Sequence, residues 1–495
     1  MKTIEKQSVL SVLKFVFLTV LFLAFSCSSD VALESEENQE AAYAKSGKKS
    51  KPILKVIAKG ATLHGANGID IGPDGNLYVG SVNGEEIVVM NKQNGKILKR
   101  LSHEVGVMGP DDLVFGPDGS LYWTNILLGT VGRLQPDGTA TEQFVGLGVN
   151  PITFSPDGRL FVALDFLGDG LYELDPNLSE PPRPIIECPT GFCLGFFNAF
   201  DFGPDGRLYG PLFALGQIIS MNVDDGTYTI VADGFTNPAS AKFNPDGILT
   251  VLDQTGGVFK VNVQTGEKTL FITLEPGIDN QVYDTDGTLY ITNNDNGWVA
   301  EILKSGQSRT ISQGGMIRPM GLAVLPGLNN QDALFEADIF TLRQFNGLTG
   351  RQENIYRGSL VPSGNSPSLV LPFTLSADGN NLVVSSWFSG AVQVFDPQAN
   401  QVLEDYVMAV PIDALRFKDD IVVSDLGLGG VVWASDHSII QPIDNANVFA
   451  PGGLATDGES VWMADWGTGI VWQINFDGKT AQAPFPVVFG LSFHE

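Results

Sequence analysis

The chain reads as an all-β repeat protein built from four-stranded antiparallel units, and three observations carry that reading. One short phrase (a polar start, an apolar stretch, a tight turn, an apolar strand ending in Asp, Asn or Ser) returns ten times. Its turn-to-turn steps are 44, 39, 48, 41, 40, 41, 51, 41 and 38 residues. A period near forty fits one small sheet per repeat better than a helix pair. The turns themselves are of the Pro-Asp-Gly type, as at Pro73-Asp74-Gly75, Pro117-Asp118-Gly119 and Pro156-Asp157-Gly158. The composition, with 57 glycines and 43% hydrophobic residues, suits a turn-rich β protein able to bury a large core.

Each element of the repeat has a local reason. Proline presets the first corner of the turn, Asp bonds its own backbone, and Gly takes a positive φ without steric cost. Flanking runs such as Leu121-Tyr122-Trp123 and Leu289-Tyr290-Ile291 carry the aromatic and β-branched residues that fit a pleated surface. A third short strand follows, as in Thr130–Leu134 or Gly257–Val261, then a second turn and a looser fourth strand such as Thr141–Val145. Four-stranded units repeated in this way predict a β-propeller over residues 53–495, one blade per repeat. Ten copies without a Pro/Gly-rich linker favour a single large ring; two smaller propellers are the competing arrangement. Leu54–Ala58 and Phe485–Phe489 are both candidates for a closing outer strand.

The amino terminus is of another kind. Lys2, Lys6 and Lys14 precede an apolar run from Phe15 to Phe25, too short for a comfortable membrane span, which reads as a signal peptide over residues 1–26. Cys27 after Ala24-Phe25-Ser26 resembles a lipoprotein acceptor, and residues 27–52 are polar and lack a core, as a disordered tether would. The expected location is therefore outside the cytoplasm, on the outer membrane or cell surface, with periplasmic or secreted forms as alternatives. Membrane contact would come through the lipid anchor alone.

Net charge is −27, and removal of residues 1–26 makes it −29. So acidic a chain disfavours nucleic acid as a partner. Beyond Cys27, two cysteines remain, Cys188 and Cys193, five apart. In an exported chain they are expected to form a loop disulfide.

The repeats also indicate which face works. The residue six before each turn proline, at the start of the first strand, is Asn67, Asp111, Asn150 or Asn198. Asn237 and Asp279 hold the corresponding places in the fifth and sixth repeats, and Asp413 in the ninth. Second strands end at Ser81, Asn125, Asp165, Asp253, Asn293, Asp338, Ser386, Asp425 and Asp465. Both sets belong to the face opposite the Pro-Asp-Gly turns. Asn67, Asp111, Asn150, Asn198, Asn237 and Asp279 are therefore the expected channel-face binding residues. Hard oxygen donors of this kind suit calcium, another divalent cation, or the hydroxyls of a sugar. The bland alternative is that strand-end Asn and Asp cap their own loops.

The segment Gly109–Phe144, with its echoes from Asn150 and Asn198, resembles repeats of the gluconolactonase and senescence-marker-protein superfamily. It is also similar to blades of virginiamycin B lyase and NHL-type propellers. The gluconolactonase resemblance implies six blades and a divalent cation held in the channel by a first-blade Glu and by later Asn and Asp. Asn150, Asn198, Asn237 and Asp253 stand at the Asn and Asp positions, and Asn150, Asn198 and Asp253 are the candidate metal set. At the first-blade position the sequence reads Gly60-Ala61-Thr62-Leu63-His64-Gly65-Ala66-Asn67, without a Glu. A lyase needs a general base, and His64, ahead of a first strand, is the candidate among four histidines. Trp298, Trp387 and Trp466 follow second strands, where they could stack on a ligand or pack between blades. Two functions remain in view: binding of a small molecule, glycan or protein at the Asn/Asp face, or metal-dependent hydrolysis of a lactone or ester, or lyase chemistry.

Overall fold

The computed structural model describes residues 56–474, except 189–192, 329–330, 360–367 and 444–447, together with Phe476 and the strand Gln482–Phe485. The signal segment, Cys27, the tether, Leu54 and Lys55, and residues 486–495 lie outside the described residues. The fold is a β-propeller architecture of ten four-stranded antiparallel sheets, each formed by four consecutive strands. Sheet one runs from Ile69–Ile71 through Leu77–Ser81 and Glu86–Met90 to Ile97–Leu101. Sheet ten runs from Pro451–Thr456 to Gln482–Phe485, so the latter stretch is the outer strand of its own sheet. No sheet borrows a strand from a distant repeat, and Val56–Ala58 is not a strand.

The turns set the register. In sheet one Ile71 pairs with Leu77 across Gly72–Asn76, and in sheet two Phe115 pairs with Leu121 across Gly116–Ser120. Gly75 and Gly119 take φ of 75° and 80°, the left-handed conformation that the turn requires and that glycine adopts freely.

Adjacent sheets pack face to face through fully buried aliphatic side chains, each contributing about 1.5–3 kcal/mol relative to an exposed one. Val131 of sheet two meets Val149, Ile152, Leu160 and Val162 of sheet three, and Leu252 and Val258 of sheet five meet Leu289 and Ile291 of sheet six. Sheet six also returns to sheet one. Tyr290 and Val299 share a core with Leu63, Ile69, Leu77 and Val88, the Ala66 N–H donates to Asn293 O (3.2 Å), and the Thr292 hydroxyl donates to Asn67 O (2.5 Å). Sheets one to six are thus a closed cycle of neighbours, and sheets seven to ten follow it in chain order. The single ring of ten blades gives way to this arrangement.

Candidate functional site

First strands line the axis of the six-sheet cycle, and their polar residues meet across it. Asn67 Nδ2 donates to Asp279 Oδ2 and to Asn294 Oδ1, both at 3.2 Å, joining sheets one and six. Asn150 Nδ2 donates to Asp165 Oδ2 (2.8 Å) and to Asn198 Oδ1 (3.3 Å), joining sheets three and four. Asp111 completes the group: burial raises its pKa well above the usual value, the charges of Asp279, Asp165 and Asp112 raise it further, and Asn67 opposes the rise. Close packing makes room for this: a Cβ on Gly68 would lie 2.5 Å from Asp112 Cα, and one on Gly148 would lie 2.2 Å from Asp165 O.

Asn67, Asp111, Asn150, Asn198 and Asp279 are thereby brought together at one end of the channel. Asn237 is half-buried, and its N–H donates to Asp253 Oδ2 (3.3 Å).

The strand-end residues separate into two classes by what their oxygens accept. Asp253 accepts the N–H groups of Thr236, Asn237 and Thr255 and the Thr255 hydroxyl, so its carboxylate is fully engaged in the loop. Asp425 accepts from Ala409, Val410, Gly427 and Leu428, and Asp465 from Phe449, Ala450, Gly467 and Thr468. Asp338 accepts the Ile317 and Arg318 N–H groups and pairs with the buried Arg343 (2.7 Å). These residues cap loops, which removes Asp253 from the metal set expected on sequence grounds.

Asp165 is different. It is fully buried, and among the described residues its Oδ2 accepts from Asn150 alone and its Oδ1 has no hydrogen-bond partner. Asp169, four residues on, caps a different loop, the one that leads into sheet four: its Oδ2 accepts the N–H groups of Cys193, Leu194 and Gly195 at 2.6–2.9 Å. Burial drives the Asp165 pKa well above the ordinary carboxylate range, and Asp279, Asp169 and Asp112 push it the same way. Asp279 is pushed up to about 7, mainly by burial, against the Asn67 hydrogen bond. Buried carboxylates without a counter-charge are expensive in their charged form, and a cation or a proton relieves the cost. Sequence counting had placed Asp165 in the row of strand ends, but nothing in the row distinguished it from its capping siblings.

Deeper in the channel a second tier of carboxylates has a cation beside it. Lys242 Nζ donates to Phe200 O (2.9 Å), and its charge lowers the pKa values of Asp70, Asp112 and Asp201 against the larger effect of burial. Asp112 also accepts from Asn280 Nδ2 (2.9 Å).

The donor set at the channel end is mixed. Among the described residues, the cluster of three Asp, Glu, His or Cys whose ligand atoms lie within 4.8 Å of one another is Asp169, Cys188 and Cys193. Cys188 and Cys193 form a disulfide with Cα atoms 5.6 Å apart, so they offer no thiolates. An ion at the channel end would need amide as well as carboxylate oxygens, which is what Asn150, Asn198 and Asp165 supply together.

His64 does not reach this site: its Nδ1 lies 2.6 Å from Ile317 O, at the junction with sheet seven. Trp298 is buried, with its Nε1 donating to Glu275 (3.3 Å), and Trp387 packs edge-on against Phe373 at 5.0 Å. Trp466 is 45% exposed and covers Gly452, where a Cβ would lie 2.4 Å from its ring. A separate cleft of about 400 Å³ lies between sheets six and seven, lined by Glu275, Asn296, Trp298, Arg309, Arg343 and Gln352. Arg343 there is paired with Asp338, Asn296 and Gln352, which makes the cleft a seam between the two groups of sheets.

No protein-family model and no curated protein matches the sequence. Solved structures of similar fold include virginiamycin B lyase from Staphylococcus aureus, at 16% identity over 57% of this chain and 94% of that one, TM-score 0.42. A gluconolactonase from Xanthomonas campestris aligns at 14% identity over 48% of this chain and 85% of that one, TM-score 0.39. The extracellular domain of a B. thetaiotaomicron protein named as a one-component system aligns at 12% identity over 84% and 66%, TM-score 0.36. The likeness in each case is one of fold.

Proposed function

We propose that the protein is an exported, lipid-anchored β-propeller that binds an oxygen-rich small molecule or glycan at the channel end of its six-sheet cycle, with calcium or a similar divalent cation as part of the site. The observation that carries this reading is the buried, unpartnered Oδ1 of Asp165 beside Asn150, within a group of carboxylates that burial has pushed upward. Asp165, Asn150 and Asn198 would hold the cation, with Asp111 and Asp279 near it, an all-oxygen donor set of the kind calcium takes. A bound cation would supply a positive centre that polarises a ligand oxygen. Asn67 and Asn294 would offer neutral donors and acceptors to hydroxyl groups.

A second reading, hydrolysis of a lactone or ester, is favoured by one observation: Asp279, at about 7, could exchange a proton near neutral pH. Export and anchoring rest on the amino-terminal sequence ending at Cys27, and loss of membrane retention in Cys27→Ser is the expected result of fractionating cells.

Calorimetric titration of the purified protein with calcium tests the site. Wild type and Asp253→Asn should take up about one ion per chain, and Asp165→Asn should take up none. Uptake unchanged in Asp165→Asn, or absent in wild type, would sink the proposal.

A further inference from the structure

Beside the channel end, the loops of sheets three and four carry an apolar surface that the cation reading does not use. Phe166 directly follows Asp165, and Phe196 lies two residues before Asn198. Their rings stack at 5.1 Å between centroids with an interplanar angle of 19°. Phe213 closes against Phe166 edge-on at 5.5 Å, and Leu215 beside it is 56% exposed. Phe166 itself is 38% exposed, far more than an aromatic ring serving a core.

Three features show that the surface is built and not incidental. Phe166 and Phe196 both sit at positive φ, 54° and 66°, a conformation that L-residues rarely adopt, and their rings meet on the same side. Secondly, the loop bearing Phe196 is fixed at its root: Asp169 Oδ2 gathers three consecutive N–H groups, and the Cys188–Cys193 disulfide closes the loop behind them. Thirdly, Phe213 N–H donates to Phe196 O (3.0 Å) and Ala214 N–H to Gly195 O (3.1 Å), which locks the two loops together. Within the six-sheet cycle, the 48-residue repeat step that holds this loop is the longest.

We infer that Phe166, Phe196 and Phe213 form an aryl-binding platform, so that the ligand joins a flat aromatic ring to the oxygen-bearing head held at the channel end. This rests on the channel reading above. Stacked and edge-on phenylalanine rings offer an aromatic partner the offset and edge-to-face contacts that such pairs prefer. Phe166 directly follows Asp165 and Phe196 lies two residues before Asn198, so the platform and the channel-end group share the same loops. Asp169 and the disulfide act as positioning elements: they hold the platform without touching the ligand.

The test compares two lactones that share a head group, dihydrocoumarin with its fused benzene ring and δ-valerolactone without one, using ligand-observed NMR in calcium-containing buffer. Wild type should prefer dihydrocoumarin by roughly fivefold, the scale of one aromatic stacking contact. Phe166→Ala and Phe196→Ala should erase that preference and keep the calcium affinity of wild type, while Phe166→Trp should retain it. Equal affinities in wild type, or a preference surviving both alanine variants, would overturn the platform. Calcium uptake with neither lactone bound would overturn it too and leave the channel reading standing. Absent calcium uptake counts against the channel reading, and the lactone pair still decides the platform.

Discussion

At the scale of the residue, the dominant theme is the buried carboxylate, and it gives a definite pH dependence. In the metal-free protein burial lifts Asp70 to about 6, Asp279 to about 7 and Glu336 to about 8. Their unfolded counterparts titrate near 4, so between these values the folded chain binds more protons than the unfolded one. Stability therefore falls as pH rises from about 4 to about 8. Glu173 behaves oppositely: Arg159 and Arg183 hold it down to about 2, so its contribution is complete above its unfolded value and is lost as the pH drops toward 2. The metal-free maximum is thus expected in mildly acid solution. Scanning calorimetry in EDTA should give a Tm several degrees higher at pH 5 than at pH 8, and calcium should narrow the gap because it replaces the protons. A Tm in EDTA that climbs from pH 5 to pH 8 would contradict the burial of these groups.

At the scale of the element, the strand plan was readable because every repeat obeys the same local rules. The Pro-Asp-Gly turn fixes the register of first and second strands in sheet after sheet, and the second strands, such as Leu160–Leu164, are apolar runs buried on both faces. Side-chain roles were less readable, because one residue type serves two purposes at neighbouring positions. Asp70, for example, accepts its own neighbour Ile71 N–H (2.8 Å) and Phe115 N–H of the next sheet (2.9 Å). Asp201 does the same with Phe202 and Phe243, and Asp413 with Ala414 and Leu454. These carboxylates staple one blade to the next, yet in sequence they look like Asp111 or Asp279, which face the channel. Asp165 and Asp253 likewise end equivalent strands. What separates them is the partner of each carboxylate: Asp253 takes loop N–H groups, whereas Asp165 Oδ2 takes the Asn150 side chain of its own sheet. That difference lies in which group each carboxylate meets in the folded chain, and no periodicity encodes it. The aromatic pair was hidden for a similar reason: Phe166 and Phe196 are thirty residues apart, and only the left-handed backbone at both brings the rings together.

At the scale of the whole molecule, the two groups of sheets are unequal partners. Sheets one to six satisfy one another around a complete cycle, whereas sheet seven presents Leu322 and Val324 to solvent from its first strand. The seam between the groups is polar and narrow. Ala61 N–H donates to Met316 O (2.7 Å), Arg343 reaches Asn296 Oδ1 (2.8 Å), and Arg357 pairs with Asp295 (2.5 Å). These contacts are polar, and separation would return their charged groups to water, where hydration offsets the lost pairs. Residues 56–316 expressed alone should therefore fold, melt in one cooperative transition and bind calcium with the affinity of the full protein. The remaining sheets, expressed alone, should unfold at a lower denaturant concentration and bind a hydrophobic dye, because sheet seven carries an uncovered apolar edge into solution. A six-sheet fragment that is insoluble, or that melts without cooperativity, would mean that sheets seven to ten complete the fold of the cycle and do not merely dock upon it.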